Sequence, residues 1–599
     1  MARQFAFRPG GLRGIAAGCG ALLLVLVALS PRSVAADERP NLIVILSDDM
    51  GYSDIGCYGG EIETPHLDAL AAGGLRLTQF YNTGRCCPTR ASLLTGLYPQ
   101  AAGVGHMMDD RGLESYSGDL SPRSLTIAEV LKTAGYRTGL FGKWHVTRHV
   151  APDGPKHNWP LQRGFDDSYG IISGAASFWD PWSLTRGNTR ISAFADDAYV
   201  AERDSPAGGP YYFTDAISDH AVRAVREHSQ QGREEPLFLY VSYTAAHWPM
   251  HARERDIAKY RGRYDSGYGP IREARLAKMK RLGLLDEATP LSPQAWDWGQ
   301  ADTTWEAENM AIYAAMVDSM DQGIGRIVGA LREAGELENT VIFYCQDNGG
   351  CAETIGRNPK ATTQTKSNRY GTTRGIIKGE RPTAPLFEPL PDDAFIGAMV
   401  PPQTRDGYPI RGGLEATGGG PDTYVAYGEG WANVSNTPFR HYKHYVHEGG
   451  IGTPLIVHWP RGLPRAGELD ATPSHLVDIM ATCVDLAGAR YPTERQGVAT
   501  RPLAGQSLRP LLVGDGLPPR QLFWEHEGNR AVREGNWKLV ALENKPWELY
   551  DLSRDRNELE DLAATHPELV TRLSAAWDTW AERDGVDATA WRRKRVSAE

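Results

Sequence analysis

A short segment near the start of the chain brings two thiols, a proline and a basic side chain together. The segment is Cys86-Cys87-Pro88-Thr89-Arg90. Proline suits the first turn of a helix, where its missing N–H costs nothing, and the free N–H groups of that turn attract an anion. The spacing therefore predicts a helix N-terminus that holds a tetrahedral oxyanion beside Cys86 and Arg90. The alternative is a buried pair of cysteines that packs as small hydrophobic side chains.

Further polar side chains follow apolar runs that are typical of buried strands. Four runs show this pattern: residues 41–46 before Asp48 and Asp49, 136–141 before Lys143 and His145, 236–241 before His247, and 340–344 before Asp347 and Asn348. Each run ends where its reactive side chains begin. We therefore expect these side chains to meet at one edge of a sheet.

Helical periodicity separates the apolar runs. Apolar residues recur at three- and four-residue spacing between residues 310 and 331, and residues 125–134 show a similar pattern. This alternation predicts an α/β fold with a large, mostly parallel sheet sandwiched by helices. Ligands of such sheets bind outside the carboxyl ends of the strands, which is where the polar side chains stand.

Four of these side chains offer only oxygen ligands. Asp48, Asp49, Asp347 and Asn348 provide three carboxylates and one amide. Ca²⁺ prefers such a set and takes about 6–8 oxygens, so an oxygen from residue 86 and one from a substrate would complete the shell. Mg²⁺ is the alternative cation, and a histidine-rich zinc site is disfavoured here. Both segments also suit a simpler role, as a helix cap and a turn.

The composition excludes one class of partner. The chain has 599 residues and a formal net charge of -10 at pH 7, whereas nucleic-acid surfaces carry an excess of basic residues. We therefore expect no nucleic-acid partner. Seven cysteines are too few for so long a chain to depend on a disulfide framework, and a bridge between Cys345 and Cys351 stays open.

The first residues predict export. Three arginines precede an apolar run over residues 20–29, and a Ser-Val-Ala cleavage site follows at residues 33–35. Together they indicate a signal peptide over residues 1–35. The apolar run is too short to span a membrane. We expect a mature protein that begins at Ala36, is periplasmic or secreted, and does not span a membrane.

Two domains are expected in the remaining chain. Residues 36–491 carry the strand and helix alternation and the reactive side chains, so they form the predicted catalytic domain. Residues 492–599 show short strands with turns and then helical spacing, which predicts an α+β subdomain with a small antiparallel sheet. The insertion at 249–300 is expected to be partly helical. The insertion at 349–433 either walls the site or is disordered.

The segment at residues 86–90 resembles the C-x-P-[S/T]-R signature of the sulfatase family, within the alkaline phosphatase-like superfamily. In that family the first cysteine is converted after synthesis to formylglycine (3-oxoalanine), whose hydrated aldehyde serves as the nucleophile. Cys86 matches that cysteine, and Cys87 does not. The chain is similar to arylsulfatases from Arg39 through the C-terminal strands.

The resemblance implies a role for each of the other side chains. The residues that match Asp48, Asp49, Asp347 and Asn348 bind a divalent cation together with residue 86. The remaining matches are Arg90, which stabilises the formylglycine; Lys143 and His145 of the Gly-Lys-Trp-His motif; His247; and Lys443. The chain departs from the family pattern at Val146-Thr147 and by placing His441 and His444 beside Lys443. Neither departure removes a functional group.

The implied reaction is hydrolysis of a sulfate ester to an alcohol or phenol and inorganic sulfate. The cation and Arg90 would favour the ionised hydrate, while Lys143, Lys443 and the cation neutralise the sulfate oxygens. His247 with Lys443 would assist the leaving alcohol. His145 would take the proton from the second hydroxyl of the hydrate.

The implied partners are a sulfated small molecule or glycan and a maturation enzyme that generates the formylglycine. Two other functions stay open. One is a phosphate or phosphonate ester hydrolase of the same superfamily, because the same groups suit either tetrahedral anion. The other is a sulfated-glycan binding protein, which requires that Cys86 is unmodified.

Overall fold

The computed structural model describes residues 39–195, 211–231, 235–358 and 376–596. The predicted signal peptide over residues 1–35 lies outside these ranges. Residues 359–375 of the insertion at 349–433 also lie outside them.

A large central sheet organises the described part of the chain. The strands in chain order are β1 (Asn41–Ser47), β2 (Gly74–Tyr81), β3 (Arg137–Lys143), β4 (Asp167–Ile171), β5 (Leu184–Arg186), β6 (Thr189–Arg190), β7 (Leu237–Ser242), β8 (Thr340–Gln346), β9 (Ile377–Lys378), β10 (Arg411–Gly412), β11 (Gly452–His458), β12 (Leu469–Asp470), β13 (Ser474–His475), β14 (Glu494–Arg495), β15 (Val498–Ala499), β16 (Gln521–His526), β17 (Asn529–Glu534), β18 (Trp537–Ala541) and β19 (Glu548–Asp551). The central sheet has the order β12-β2-β11-β8-β1-β7-β3-β4-β5-β6, and β13 also pairs with β2.

The centre of this sheet is parallel, as predicted. β1 lies between β7 and β8, with Val44 opposite Tyr240 and Phe343. β3 pairs in parallel with β7 and β4. One strand near the centre is reversed, because β11 runs antiparallel to both β8 and β2. The parallel strands end together, so the residues that follow them share one edge of the sheet.

Helices cover both faces of the sheet. Their bounds are α1 (Pro65–Ala72), α2 (Cys86–Thr95), α3 (Ile127–Thr133), α4 (Phe213–Gln230), α5 (Glu254–Ile257), α6 (Tyr268–Arg281), α7 (Thr303–Glu333), α8 (Gly428–Ser435), α9 (Glu448–Ile451), α10 (Val477–Leu486), α11 (Arg509–Val513) and α12 (Pro567–Asp584). The two predicted helical stretches are confirmed as α3 and α7. Thr126 and Glu129 form a reciprocal capping box that starts α3.

The apolar pattern of β1 explains this sandwich. Successive side chains of a strand point to opposite faces of its sheet. All seven residues of β1 are buried, so both faces of the sheet are covered at this strand. Ile43 and Ile45 join one apolar core, which contains Met310 of α7. Leu42 joins the core on the other face, which contains Leu93 of α2. Each such side chain contributes about 1.5–3 kcal/mol when it is fully buried.

A four-stranded antiparallel sheet of β16 to β19 follows, and α12 comes after it. One side of this sheet packs on the main sheet, where Trp524 lies in an apolar cluster with Tyr81 of β2. Its other side packs on α12, where Leu539 joins a cluster with Trp577. The predicted small antiparallel sheet with a terminal helix is confirmed, and the domain boundary at 491/492 stays a prediction.

The two insertions contain little regular structure. The insertion at 249–300 contains α5 and α6, in agreement with the expected helical content. The described part of the insertion at 349–433 contains α8 and the short strands β9 and β10. Among the described helices, none has the length and apolar character required to cross a membrane.

Candidate active site

The reactive segment opens a helix, as the sequence predicts. Arg85 is extended, α2 begins at Cys86, and Gly96 closes the helix with φ of 67° while its N–H donates to the Ser92 carbonyl. Glycine adopts this left-handed backbone without the penalty that a Cβ brings. All ten residues of α2 are buried. The first turn therefore points its free N–H groups into the interior of the protein.

Cys86 lies at the centre of the candidate site with only 2 % of its surface exposed. A hydrogen bond from Cys87, followed by the charges of Lys143 and Lys443, holds the pKa of the Cys86 thiol well below its ordinary value. Sγ of Cys87 also lies 3.1 Å from Nε2 of His145, and ligand atoms of Cys86, Cys87 and His145 all lie within 4.8 Å of one another. Burial raises the pKa of Cys87 well above its ordinary value, so the two adjacent thiols differ in pKa although they lie in one group.

The four predicted oxygen ligands converge. Ser47 of β1 is opposite Gln346 of β8 in parallel register, so the residues that follow the two strands lie side by side. The N–H of Asp49 donates to Oδ1 of Asp347 at 3.2 Å, and Nδ2 of Asn348 donates to Oδ1 of Asp49 at 2.8 Å. The prediction that strand ends bring these residues together is confirmed.

Two oxygen atoms of this group fit a cation. Oδ1 of Asp48 and Oδ1 of Asn348 are buried and have no hydrogen-bond partner among the described residues. Such orphaned acceptors are costly, at about 1–3 kcal/mol each. Ligand atoms of Asp48, Asp347 and Cys86 also lie within 4.8 Å of one another. Apart from the sulfur of Cys86, the donor set consists of hard oxygens, which suits Ca²⁺ or Mg²⁺.

Burial and neighbouring charges shift the pKa values of the three carboxylates. Burial, followed by the neighbouring Asp347, raises the pKa of Asp48 well above its ordinary value. Burial raises the pKa of Asp347 as well. Burial acts in the same direction on Asp49, but Lys443 and His247 outweigh it and lower the pKa of Asp49. A divalent cation would stabilise the ionised form of all three.

Arg90 connects the nucleophile helix to the strand ends. Its Nη2 lies 2.9 Å from Oδ2 of Asp347 and 3.3 Å from Oδ2 of Asp48. Its Nη1 donates to the carbonyl of Lys143 at 3.1 Å and to the hydroxyl of Ser242. The side chain is fully buried, so these contacts hold the guanidinium in one orientation beside the first turn of α2.

Two lysines bring positive charge to opposite sides of the carboxylates. Nζ of Lys143, at the end of β3, lies 2.6 Å from Oδ2 of Asp48. Nζ of Lys443 lies 2.8 Å from Oδ2 of Asp49 and 3.5 Å from Oε2 of Glu353. Burial lowers the pKa of Lys443, but Asp49, Cys351 and Glu353 together outweigh burial and hold this pKa well above its ordinary value. Lys443 is therefore charged at neutral pH.

Both predicted histidines reach the site. Nδ1 of His247 lies 2.6 Å from the carbonyl oxygen of Trp248, which can only accept, so Nδ1 carries the proton. Nε2 then faces Oδ2 of Asp49 at 3.4 Å. Burial lowers the pKa of His247 to about 4 and, together with Lys143, the pKa of His145 to about 3. Both rings are neutral at neutral pH.

Two residues of the candidate active site have a strained backbone. Asp49 and His145 are non-glycine residues with left-handed φ angles of 58° and 56°. Such conformations cost about 1–3 kcal/mol and cluster at functional sites. The ring of His145 is held close to Gly174, where an added Cβ would come within 2.3 Å of Nε2. The surrounding structure therefore fixes the two side chains at an energetic cost.

Sequence reasoning missed the polar rim of the site. Glu353 lies within ion-pair distance of Lys443, its Oε1 lies 3.2 Å from Nη2 of Arg85, and its Oε2 accepts from Nε1 of Trp248 at 2.5 Å. Glu353 follows Asp347 by six positions in the sequence, and no periodicity marked it. The open question of a disulfide is also answered, because Cys345 and Cys351 are free thiols in the structure.

Comparison with known proteins identifies the family of the chain. The sulfatase family model matches residues 40–489, and a model for the C-terminal part of N-sulphoglucosamine sulphohydrolase matches residues 439–577. The arylsulfatase of Klebsiella aerogenes is 32% identical, over 79% of this chain and 92% of that protein. An uncharacterized sulfatase of Schizosaccharomyces pombe is 29% identical, over 92% of this chain and 95% of that protein.

A solved structure extends the comparison to the fold. The phosphonate monoester hydrolase of Agrobacterium radiobacter is 20% identical with a TM-score of 0.51, over 94% of this chain and 100% of that chain. Identity at that level establishes a shared fold only. The family model, in contrast, covers most of the sequence, and the Klebsiella enzyme matches along nearly its whole length. The chain therefore belongs to the sulfatase family and is a sulfuric ester hydrolase.

Proposed function

We propose that the chain hydrolyses aryl-type sulfate esters through a formylglycine derived from Cys86 and a bound Ca²⁺ ion. The convergence of the oxygen ligands, Arg90 and both lysines on the Cys86 side chain carries this proposal. As the formylglycine hydrate, residue 86 would supply a hydroxyl nucleophile together with a second hydroxyl for release of sulfate. Mg²⁺ is the alternative cation.

The cation would be held by oxygens of Asp48, Asp49, Asp347, Asn348 and residue 86. When bound, Ca²⁺ supplies positive charge that favours an ionised hydroxyl and neutralises a sulfate oxygen. The two orphaned buried oxygens of Asp48 and Asn348 support this assignment. Arg90, fixed by Asp347 and Asp48, adds a second positive group beside the hydroxyl.

The two lysines and two histidines are assigned to charge neutralisation and proton transfer. Lys143 and Lys443 are placed to neutralise the oxygens of the transferred sulfate group. Lys443 bears a proton at neutral pH and would stabilise the leaving oxygen. Nε2 of the neutral His247 carries no proton, so His247 would assist this oxygen only after Nε2 has gained one. His145 is neutral because its pKa is about 3, so its ring can accept the proton of the second hydroxyl when sulfate is released.

The mass of the peptide that contains Cys86 tests the nucleophile. Full-length protein from a host with a formylglycine-generating enzyme should show a loss of about 18 Da at Cys86 and should hydrolyse a chromogenic aryl sulfate. Cys86→Ser should lose both properties. Cys87→Ser is the matched control, because it changes the neighbouring thiol and should keep the mass change.

The outcomes separate the competing functions. Conversion with sulfate release supports the proposal. An unmodified thiol without turnover contradicts it and favours a sulfated-glycan binding protein. Conversion with faster turnover of a phosphate or phosphonate monoester than of the matched sulfate would favour the other hydrolase. Two lysines and one cation suit a sulfate monoanion better than the two-metal arrangement of phosphatases.

Export is part of the same proposal. We infer that residues 1–35 are removed as a signal peptide and that the mature enzyme is periplasmic or secreted, on the basis of the sequence pattern alone. N-terminal sequencing of the protein from fractionated cells should give Ala36 as the first residue. Protein that retains Met1 in the cytoplasmic fraction would contradict this inference.

A further inference from the structure

A second group of metal-binding side chains lies beside the site. It consists of His106, His444, His526 and Glu527, and we call it the histidine cluster. His526 is the last residue of β16, and Glu527 follows it. Glu527 is the shared neighbour: Nε2 of His106 lies 3.1 Å from Oε1, Nδ1 of His444 lies 2.9 Å from Oε2, and Nε2 of His526 lies 3.8 Å from Oε1.

The arrangement of the rings fits a common centre. The ring centroid of His526 lies 5.7 Å from that of His106 and 6.0 Å from that of His444. Ligand atoms of His444, His526 and Glu527 all lie within 4.8 Å of one another. Two ligand atoms on one tetrahedral zinc ion are about 3.4 Å apart, since each Zn–N bond is about 2.1 Å long. Only small side-chain movements would close the cluster around an ion.

His526 provides the observation that points to a ligand. It is fully buried, and neither of its ring nitrogens has a hydrogen-bond partner among the described residues. Each buried polar atom without a partner costs about 1–3 kcal/mol. Nε2 of His526 is directed toward the Glu527 carboxylate at 3.8 Å, a distance that leaves room for adjustment around an ion between them.

The charge state of the rings favours a metal. Burial lowers the pKa of His106 and holds the pKa of His526 well below its ordinary value, so both rings are neutral and offer lone pairs. Glu527 is ionised, since His106 and His444 outweigh burial and lower the pKa of this carboxyl. Three imidazoles and one carboxylate form a borderline donor set that suits Zn²⁺.

Two arginines border the cluster and must be accounted for. Nη1 of Arg85 lies 2.8 Å from Nδ1 of His444 and also contacts Nε2 of the same ring, so a metal bound at either nitrogen would displace Arg85 from this ring. Arg85 keeps another partner, because its Nη2 lies 3.2 Å from Oε1 of Glu353. Arg111, near His106, is paired in turn with a carboxylate oxygen of Asp109 at 3.0 Å. Both guanidiniums therefore stay neutralised.

We propose that the histidine cluster binds one zinc ion, with His106, His444 and His526 as nitrogen ligands and Glu527 as the oxygen ligand. Four protein ligands are typical of a structural zinc site. The ion would tie together the loop after α2, the segment that carries Lys443, and the end of β16. It is separate from the oxygen-ligated cation site, where no imidazole is needed.

Zinc binding by the full-length protein tests this site. Protein stripped with a chelator and then saturated with Ca²⁺ is titrated with Zn²⁺, and the metal content per chain is measured after desalting. One tightly bound zinc ion is expected. Co²⁺ in its place should show the visible absorption of a tetrahedral centre. All measurements are made in a Cys86→Ser background, which removes the most reactive thiol of the candidate active site.

Three variants locate the ligands. Glu527→Gln removes the carboxylate from a partly exposed position, and His526→Ala removes the buried imidazole; each should weaken zinc affinity by at least about tenfold. His157→Ala is the matched control, because Asp119, His149 and His157 form another group with metal-binding side chains. This control should retain wild-type affinity, and circular dichroism confirms the fold of each variant.

The result that overturns the proposal is equally specific. If zinc affinity is unchanged in Glu527→Gln, or is lost in His157→Ala instead, the ion does not bind at the histidine cluster. Absence of zinc binding in the Ca²⁺-saturated protein overturns it as well. If His526→Ala fails to fold, Glu527→Gln decides the outcome alone, since that substitution keeps the size of the side chain.

Discussion

Replacing Lys443 by methionine tests how the site stabilises the leaving oxygen. Nζ of Lys443 lies 2.8 Å from Asp49 and 3.5 Å from Glu353, and the side chain is 1% exposed. Methionine keeps most of the length and removes the charge. Loss of one group that stabilises transition-state charge lowers kcat by about 10²–10³, or about 2.7–4 kcal/mol.

The size of the loss should depend on the substrate. A more basic leaving oxygen carries more negative charge that is not delocalised as its bond to sulfur breaks. Its transition state therefore depends more strongly on the positive charge of Lys443. Steady-state rates of Lys443→Met on a series of aryl sulfates should therefore fall further for an unsubstituted phenyl ester than for a nitrophenyl ester. Lys143→Met is the matched control, because Lys143 is assigned to the sulfate oxygens and should slow all esters equally.

Folding must be checked in parallel. Without Lys443 the buried carboxylate of Asp49 loses its nearest cation, and breaking a buried ion pair costs about 3–5 kcal/mol. Lys443→Arg keeps the charge and separates this effect from catalysis. A folded Lys443→Met enzyme whose rate loss is the same for every leaving group would refute the assignment of Lys443 to the leaving oxygen.

Three further outcomes are expected. Chelation should abolish activity and Ca²⁺ should restore it, and Asp48→Asn should weaken Ca²⁺ affinity by at least about tenfold by calorimetry; full activity after exhaustive chelation would contradict this. Lys538→Met should lower the free energy of unfolding by about 3–5 kcal/mol in denaturant titrations, because its Nζ lies 3.0 Å from Glu448 and 2.8 Å from Glu558 and all three side chains are fully buried. Burial raises the pKa of Glu525 from 4.5 to about 7, so the folded chain holds a proton that the unfolded chain releases, and the free energy of unfolding should fall by about 3 kcal/mol as the pH rises through that interval. Glu525→Gln should flatten this slope, and an unchanged slope would contradict the origin assigned to it.

Local sequence patterns predicted much of the fold. Continuous apolar runs identified β1, β3, β7 and β8, because a strand buried on both faces needs apolar side chains at every position. Their common direction then placed Asp48 beside Asp347, since parallel strands end at the same edge. The three- and four-residue spacing of apolar side chains predicted α7 and α3 in the same way.

Other parts of the site depend on long-range contacts that no local pattern contains. The reversed direction of β11 could not be predicted, because an apolar strand has the same composition in either orientation. Glu353 reaches Lys443 and Arg85 only through the path of a long loop. His526 and Glu527 come from the C-terminal sheet, and their place beside His444 follows from how that sheet packs on the main one.

The reversed strand β11 has a consequence for the order of events during synthesis. β8 pairs with β1 on one side, and on the other side it pairs only with β11, whose residues 452–458 leave the ribosome much later. A chain without β11 would leave β8, a seven-residue strand that is buried along its whole length, with an open edge, and an open edge is a template for pairing with other chains. Lys443 precedes β11 by only a few residues. The segment that supplies Lys443 therefore lies close in the chain to the strand that covers the open edge of β8.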